Sequence, residues 1–313
     1  MVAQIVSTVL HLFWCYYFQT VKGFDVEGLG YAMSVTAFTQ FIFTLFYTSC
    51  VSSISSAVHC PNAQSLRGWC QYMSLAMPVV IMLCSDWWAF EILTIISGLI
   101  GVSEQATFVI IANLSAQIYM VPVGIQEATC VMIGNSIGQY NTSLAWRYFK
   151  LISVITIAYS VVLCIVLITC REQISAFFTE EQSVFELLVK CIPILALKFI
   201  PDAYQGFAQG VIRALGKQKE ASKITLIVAY LVTLPVACVL AFVFKMGVSG
   251  LIIGSAVSHV LQTILYLRLI LNEDWEKVSQ QAIDRIEADA KQNDESENEM
   301  LGYINKDDDF KRA

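Results

Sequence analysis

The sequence predicts an all-α membrane protein, a polytopic helical bundle. Of its 313 residues, 57% are hydrophobic and 14% charged, where an ordinary soluble domain carries about 25% charged residues. The mean hydropathy is +0.63. Eight apolar stretches reach the roughly twenty residues that cross a bilayer core. Lipid offers no partner to a bare peptide group, so these stretches are expected as helices. The net charge of −6 is local: residues 272–313 hold 13 acids and 6 bases, which leaves the body almost neutral. No basic surface remains for nucleic acid.

The stretches run over 1–19, 29–50, 73–99, 107–134, 148–170, 186–211, 222–244 and 248–271. The first begins at Met1 with no basic n-region and no small-residue cleavage site, so it reads as a membrane helix and not as a signal peptide. Connections are short except for 51–72, where Ser52, Ser53, Ser55, Ser56 and Pro61 break the pattern before Arg67. The tail opens amphipathically through Trp275, Val278, Ile283 and Ile286. It then loses its apolar positions and ends in Asp307-Asp308-Asp309, which predicts a short surface helix followed by disorder.

Basic residues orient the helices. Arg67, Arg147, Lys150, Arg213, Lys217, Lys219 and Lys223 fall on one side, and Lys22, Arg171, Lys190 and Lys245 on the other. The richer side is expected in the cytoplasm, with both termini. An internal repeat supports a modular build. Gly28-Leu29-Gly30-Tyr31-Ala32-Met33-Ser34-Val35-Thr36, with Gln40, aligns without gaps on Gly250-Leu251-Ile252-Ile253-Gly254-Ser255-Ala256-Val257-Ser258, with Gln262, at an offset of 222 residues. Helices one and two then repeat helices seven and eight, as in transporters built from duplicated units.

The ten cysteines form no CxxC pair and read as small hydrophobes, with no metal site. His11, His59 and His259 are scattered and suggest no dyad. Gly134-x-x-x-Gly138 lacks the Lys-Ser/Thr of a phosphate loop, so ATP hydrolysis is not expected; the chain is not expected to be an enzyme or to carry a cofactor.

Asp86-Trp87-Trp88-Ala89-Phe90-Glu91, followed by Ser97-Gly98-Leu99, resembles the eukaryotic multidrug and toxic compound extrusion (MATE) family of the MOP superfamily. So do Tyr119-Met120-Val121-Pro122-Val123-Gly124, Gly134-Asn135-Ser136-Ile137-Gly138, Asp202-Ala203-Tyr204-Gln205-Gly206 and Gly210-Val211-Ile212-Arg213-Ala214-Leu215-Gly216, in that order. The resemblance runs from residue 1 to about 280. It implies twelve helices in two six-helix lobes, with this chain starting at the fifth. Residues 1–50 would be the last two helices of the amino-terminal lobe and 51–72 the inter-lobe linker. Residues 73–271 would form the complete carboxy-terminal lobe, and 272–313 an acidic cytoplasmic tail. The implied activity is multidrug efflux: antiport of small organic cations or xenobiotics against H⁺ or Na⁺ across a plasma or vacuolar membrane.

The acids at membrane depth are the candidates for coupling. A charge there costs roughly 2.5–3.5 kcal/mol on insertion scales, so it faces a polar interior. Asp86 and Glu91 stand about 140° apart on their helix. Glu91 lies one turn from Trp87, whose indole can screen it, and a screened carboxyl that resists ionisation can exchange a proton. The alternative is a protonated acid bonded to a neighbouring helix. The resemblance gives the coupling role to Glu91, with Asp202 as its partner acid. Pro201 leaves the carbonyl of Leu197 without its helical donor and predicts a kink beside Asp202. Lys198, one turn earlier, departs from the family pattern and can hold Asp202 in an ion pair.

Trp87, Asn113, Tyr119, Tyr204 and Gln205 are candidates for the substrate cavity. Lone polar groups on membrane helices also serve as glue between helices. The aromatics Phe13, Trp14, Tyr16, Tyr17, Trp87 and Trp88 either sit in interfacial belts or stack on flat organic cations. Glu127 and Met132 depart from the family pattern, and the sequence gives no account of them. Two alternatives stay open: a truncated, non-transporting relative, and a helical receptor or channel, against which the short loops and the repeat argue.

Overall fold

Lipid-length apolar runs become helices throughout the described residues. The computed structural model describes residues 2–24, 26–50 and 69–284, and two compact units emerge, Met1–Trp69 and Cys70–Ala313. The first unit is a hairpin of α1 (Val2–Tyr16, continued by a π-helical turn over Tyr17–Val21) and α2 (Val26–Cys50). The second holds α3 (Trp69–Ile100), α4 (Val102–Gly138), α5 (Thr142–Thr169), the short α6 (Arg171–Phe178), α7 (Gln182–Ala214), α8 (Gln218–Val243) and α9 (Gly247–Leu271). A further helix, α10, covers 275–284. The expected interruption at Ser52–Ser56 and Pro61, and the acidic end of the tail, lie outside the described residues.

Six of these helices are long and apolar enough to cross a membrane: α2, α3 from Tyr72, α4, α5, α8 and α9. The expected spans 1–19 and 186–211 are helical too but fall short for separate reasons. The α-helical part of the first is only 15 residues long, and α7 carries Lys190, Lys198 and Asp202 through its middle.

Prolines sit inside four of the long helices of the second unit, at Pro78, Pro122, Pro193 and Pro201 and, in α8, at Pro235. Each takes away the donor for the carbonyl four residues earlier. At Pro122 the orphan is Ile118, and the Tyr159 hydroxyl of α5 donates to it at 3.1 Å. In α8, Pro235 sits between two π-helical turns, Val228–Thr233 and Val239–Val243, where the helix widens around the missing donor.

Small residues set how close the helices come. Gly206-x-x-x-Gly210 on α7 faces α4. A Cβ at Gly206 would meet the Tyr119 hydroxyl at 2.8 Å, and one at Gly210 would overlap the carbonyl oxygen of Gln126. On α9, Gly250-x-x-x-Gly254 lies against Ala241 and Ala237 of α8. A Cβ at Gly250 would stand 2.7 Å from the Ala241 nitrogen, and one at Gly254 would overlap the Ala237 backbone. Between helices in lipid, contact of this kind substitutes for hydrophobic attraction.

The offset of 222 residues returns in the backbone. In the first hairpin, the N–H groups of Lys22 and Phe24 donate to Tyr17 O and Phe18 O. In the α8–α9 hairpin, those of Phe244 and Met246 donate to Val239 O and Leu240 O. Every residue of the second set stands 222 after its counterpart. Gly23 (φ 67°) and Lys245 (φ 54°) keep the same offset and the same left-handed turn. Gly28 packs on Phe18 as Gly250 packs on Leu240 and Ala241.

In the second unit two apolar clusters bracket the middle of the bundle. One joins Leu93, Phe108, Ile111, Leu188, Ile192 and Leu251; the other joins Met82, Ile133, Phe149, Phe207, Val211 and Tyr266. The second cluster is completed by α10, whose Trp275 stacks on Trp146 at 4.3 Å between ring centroids. Asp274 Oδ1 caps α10 by accepting from the N–H groups of Glu276 and Lys277, and Lys217 pairs with Glu273 at 2.8 Å.

Gly210→Ala and Gly254→Ala should each destabilise the second unit by about 1–3 kcal/mol, the usual cost of overpacking. Gly124→Ala, whose new methyl meets no atom within 4 Å, should be neutral or stabilising. Thermal unfolding of the purified chain in detergent reads the contrast. Equal effects at all three positions would count against close packing as the cause.

Candidate functional site

Polar side chains recur on one face of α7: Lys198, Asp202, Gln205 and Gln209 are spaced by four, three and four residues, the repeat of a helical stripe. On α9, Ser255, Ser258, His259 and Gln262 do the same. These stripes meet Asp86 of α3 and Tyr119 and Gln126 of α4 around a cavity of about 320 Å³. Along α4 and α9 the cavity residues lie between the two apolar clusters, and on α7 Lys198, Asp202 and Gln205 do so. The polar site therefore occupies the middle of the bundle, where each group needs a partner from the protein itself.

The partners are present. Asp86 Oδ2 accepts from the side-chain amides of Gln205 at 3.1 Å and Gln209 at 3.2 Å. Gln126 donates in turn to Gln209 Oε1 at 3.3 Å. Lys198 Nζ donates to Asp202 Oδ2 at 2.9 Å, with side-chain exposures of 4% and 15%. His259 Nε2 lies 3.4 Å from the other oxygen, Asp202 Oδ1, and His259 Nδ1 lies 2.6 Å from Ser255 O. Behind this wall Gln262 donates to Tyr266 at 2.9 Å and Thr225 at 3.2 Å, and Thr225 and Tyr266 share a hydrogen bond. Towards the end of α7, Arg213 pairs with Glu127 at 2.6 Å.

The structure sorts the residues singled out from the sequence. Asp86, Asp202, Trp87, Tyr119 and Gln205 line the cavity, with Trp87 half exposed. Glu91 does not line it; the side chain is exposed. The buried stripe of α3 runs through Met82, Ser85, Ala89 and Leu93. At 100° per residue Asp86 lies about 40° from Met82, beside the edge of that stripe, and Glu91 lies about 180° from Met82. Tyr204 is turned away: its hydroxyl meets Ser153 of α5 at 2.8 Å and acts as glue between helices. Asn113 is exposed and donates to Val109 O of its own helix at 3.0 Å. The helix α7 runs continuously through both of its prolines, and Thr263 of α9 donates to the Pro201 carbonyl at 3.1 Å.

The cavity residues that sequence reasoning missed include Gln209, Gln262 and His259. The spacing of four, three and four residues on α7 carried the signal for Gln209, and the α9 stripe carried it for the other two. His259 contradicts the expectation of no histidine partnership, because its partner is a carboxylate. Glu127, without an account from sequence, lines the cavity and pairs with an arginine 86 positions away.

Comparison with known proteins agrees with this geometry. The MatE family model matches residues 78–239. Multidrug and toxin extrusion protein 1 of Oryctolagus cuniculus is 30% identical over 257 residues, covering 82% of this chain and 45% of that protein. Its Homo sapiens counterpart is 31% identical over 221 residues, covering 71% and 39%. This chain thus spans less than half the length of these relatives. Among solved structures, the eukaryotic MATE transporter AtDTX14 superposes with a TM-score of 0.85 at 25% identity, over 91% of this chain and 64% of that one. A transporter of the MOP superfamily from Pyrococcus furiosus shares the fold at a TM-score of 0.73 and 16% identity.

Removing one partner of a buried ion pair costs about 3–5 kcal/mol, because the other charge is left uncompensated. Lys198→Met should therefore destabilise the unit by that order. The double variant Lys198→Met/Asp202→Asn should recover most of the loss. A double-mutant cycle by thermal unfolding checks it, and additive losses would mean that the two groups do not act as a pair.

Proposed function

The chain belongs to the MatE family, and on that premise we propose that it works as a secondary antiporter, exporting organic cations or xenobiotics against protons by alternating access. The observation that carries this reading is the convergence of Asp86 and Asp202, from different helices, on one mid-bundle cavity. Trp87 and Phe90 stand in the same wall and offer aromatic faces to a flat cation. Glu91 faces outward, so the leading role goes to Asp86 with Asp202 as its partner. A proton suits the cavity better than a metal ion. Lys198 already holds one oxygen of Asp202, and two glutamine amides hold Asp86. A proton needs no coordination shell, whereas an ion would have to displace these donors.

In this mechanism a proton on the acid pair favours one arrangement of the helices and a bound cation favours the other. Each ligand shifts the balance only by binding the two states with different affinity. The π-helical turns and prolines of α7 and α8 are where such a change would be absorbed. We also assign both termini to the cytoplasm, from seven basic residues on that side against four opposite. The membrane is the plasma or the vacuolar membrane.

Membrane vesicles carrying the protein should exchange ethidium against an imposed proton gradient. Asp86→Asn should lower that exchange by at least about tenfold, a loss of roughly 1.4 kcal/mol or more, while Glu91→Gln retains most of it. Full exchange by Asp86→Asn at equal expression would overturn the assignment. For the topology, a cysteine introduced in the tail should react with an impermeant maleimide only after cells are permeabilised; labelling of intact cells would reverse it.

A further inference from the structure

His259 makes two contacts that fix where its protons sit. A backbone carbonyl only accepts, so the 2.6 Å contact with Ser255 O requires Nδ1 to carry a proton. The other ring nitrogen, Nε2, lies 3.4 Å from Asp202 Oδ1. Lys198 donates to the second oxygen of the same carboxylate at 2.9 Å. A neutral ring protonated at Nδ1 would then present a lone pair to a carboxylate oxygen. The alternative neutral ring, protonated at Nε2, would present a lone pair to the Ser255 carbonyl. Both arrangements repel, and a ring protonated on both nitrogens satisfies both contacts.

From this geometry we infer that His259 is the proton-holding residue of the cavity: its Nε2 carries an exchangeable proton against Asp202, whose own charge is engaged by Lys198. The inference rests on the antiport reading and deepens it, by moving the proton from the carboxylate to the ring beside it. Loading adds a proton to Nε2 from cavity water and unloading returns it, and no other bond changes. The charged and titratable groups around the ring are Asp202 and Lys198 from α7, Asp86 from α3, and Tyr119 and Glu127 from α4. On its own helix Tyr266 is turned towards Thr225, and α8 brings only Ala229 and Thr233 to the cavity. When the proton leaves, the cluster loses one positive charge beside two carboxylates, so occupancy of Nε2 reports directly on the charge that the cavity offers a cation.

The test is nitrogen NMR of the full chain, labelled with ¹⁵N-histidine in lipid nanodiscs and titrated with pH. His259→Gln identifies the signal by its loss. At neutral pH both ring nitrogens of His259 are expected to carry protons, with Nδ1 still protonated when Nε2 is released at higher pH. Asp202→Asn lets the new amide donate to Nε2, so the Nε2 proton should be lost at a pH where the parent chain keeps it. A neutral ring in the parent chain at neutral pH would overturn the inference, and so would an unchanged titration in Asp202→Asn. The readout needs no transport, so the two readings fail separately. Exchange abolished by Asp86→Asn, with a neutral His259, would leave the antiporter and remove the histidine. A doubly protonated ring in a protein that moves no cation would keep the histidine and remove the antiporter. Helicity by circular dichroism verifies that each variant is folded.

Discussion

The close crossing of α4 and α7 at Gly206 and Gly210 is the constraint on which the rest of the site depends. Without side chains at those two positions the backbones meet, and the Tyr119 hydroxyl and the Gln126 carbonyl occupy the space that two methyl groups would take. That approach brings the polar stripe of α7 within reach of α4 and turns Gln209 towards both Gln126 and Asp86. A wider spacing would leave amides and carboxylates in the middle of an apolar bundle with nothing to bond. Burying polar groups is tolerable only when each finds a partner. The glycines supply the proximity that makes this possible.

The Lys198–Asp202 pair is held to the same condition. Buried ion pairs are weak stabilisers, and apolar residues of similar volume often do as well or better. Stability alone therefore gives little reason to keep a lysine, two aspartates and a histidine around one cavity. The cluster is costly unless its charge is used, and the two apolar groups of side chains that bracket it keep it away from both ends of the helices. The bundle invests its packing in the clusters and its chemistry in the layer between them.

The helices were legible because lipid imposes a length and a hydropathy on each span, and both can be read residue by residue. The hairpin repeat was legible for a related reason: glycines at tight approaches recur wherever the same backbone recurs. The site was legible only in part. Asp86 and Asp202 stood out as charges in apolar runs, and Lys198 through its one-turn spacing from Asp202. Which of Asp86 and Glu91 lines the cavity depended on which face of α3 is inward, and the stripe of Met82, Ser85, Ala89 and Leu93 passes close to Asp86 and opposite Glu91. Motif position spoke for Glu91 instead. Contacts between distant helices, such as Arg213 with Glu127, Tyr204 with Ser153 and His259 with Asp202, come from tertiary packing and leave no local pattern. Tyr204 and Asn113 show the converse, since a polar residue on a membrane helix can be satisfied by a neighbouring helix or by its own turn.

The two hairpins related by 222 residues have diverged in a particular way. Their turns, their left-handed residues and the glycines at Gly28 and Gly250 coincide, and so do Gln40 and Gln262. Where the second hairpin has Ser255 and His259, the first has Met33 and Ala37, and where the second has Thr233 the first has His11. In the first hairpin His11 bonds to Thr36 at 2.9 Å, from the opposite helix to the one that carries His259. A duplicated frame has thus been furnished twice, with an imidazole mounted on a different post each time. Imidazoles can change position within such a frame without disturbing the bend that carries them, so ancestry is written in the backbone while chemical individuality is written in a few replaceable side chains.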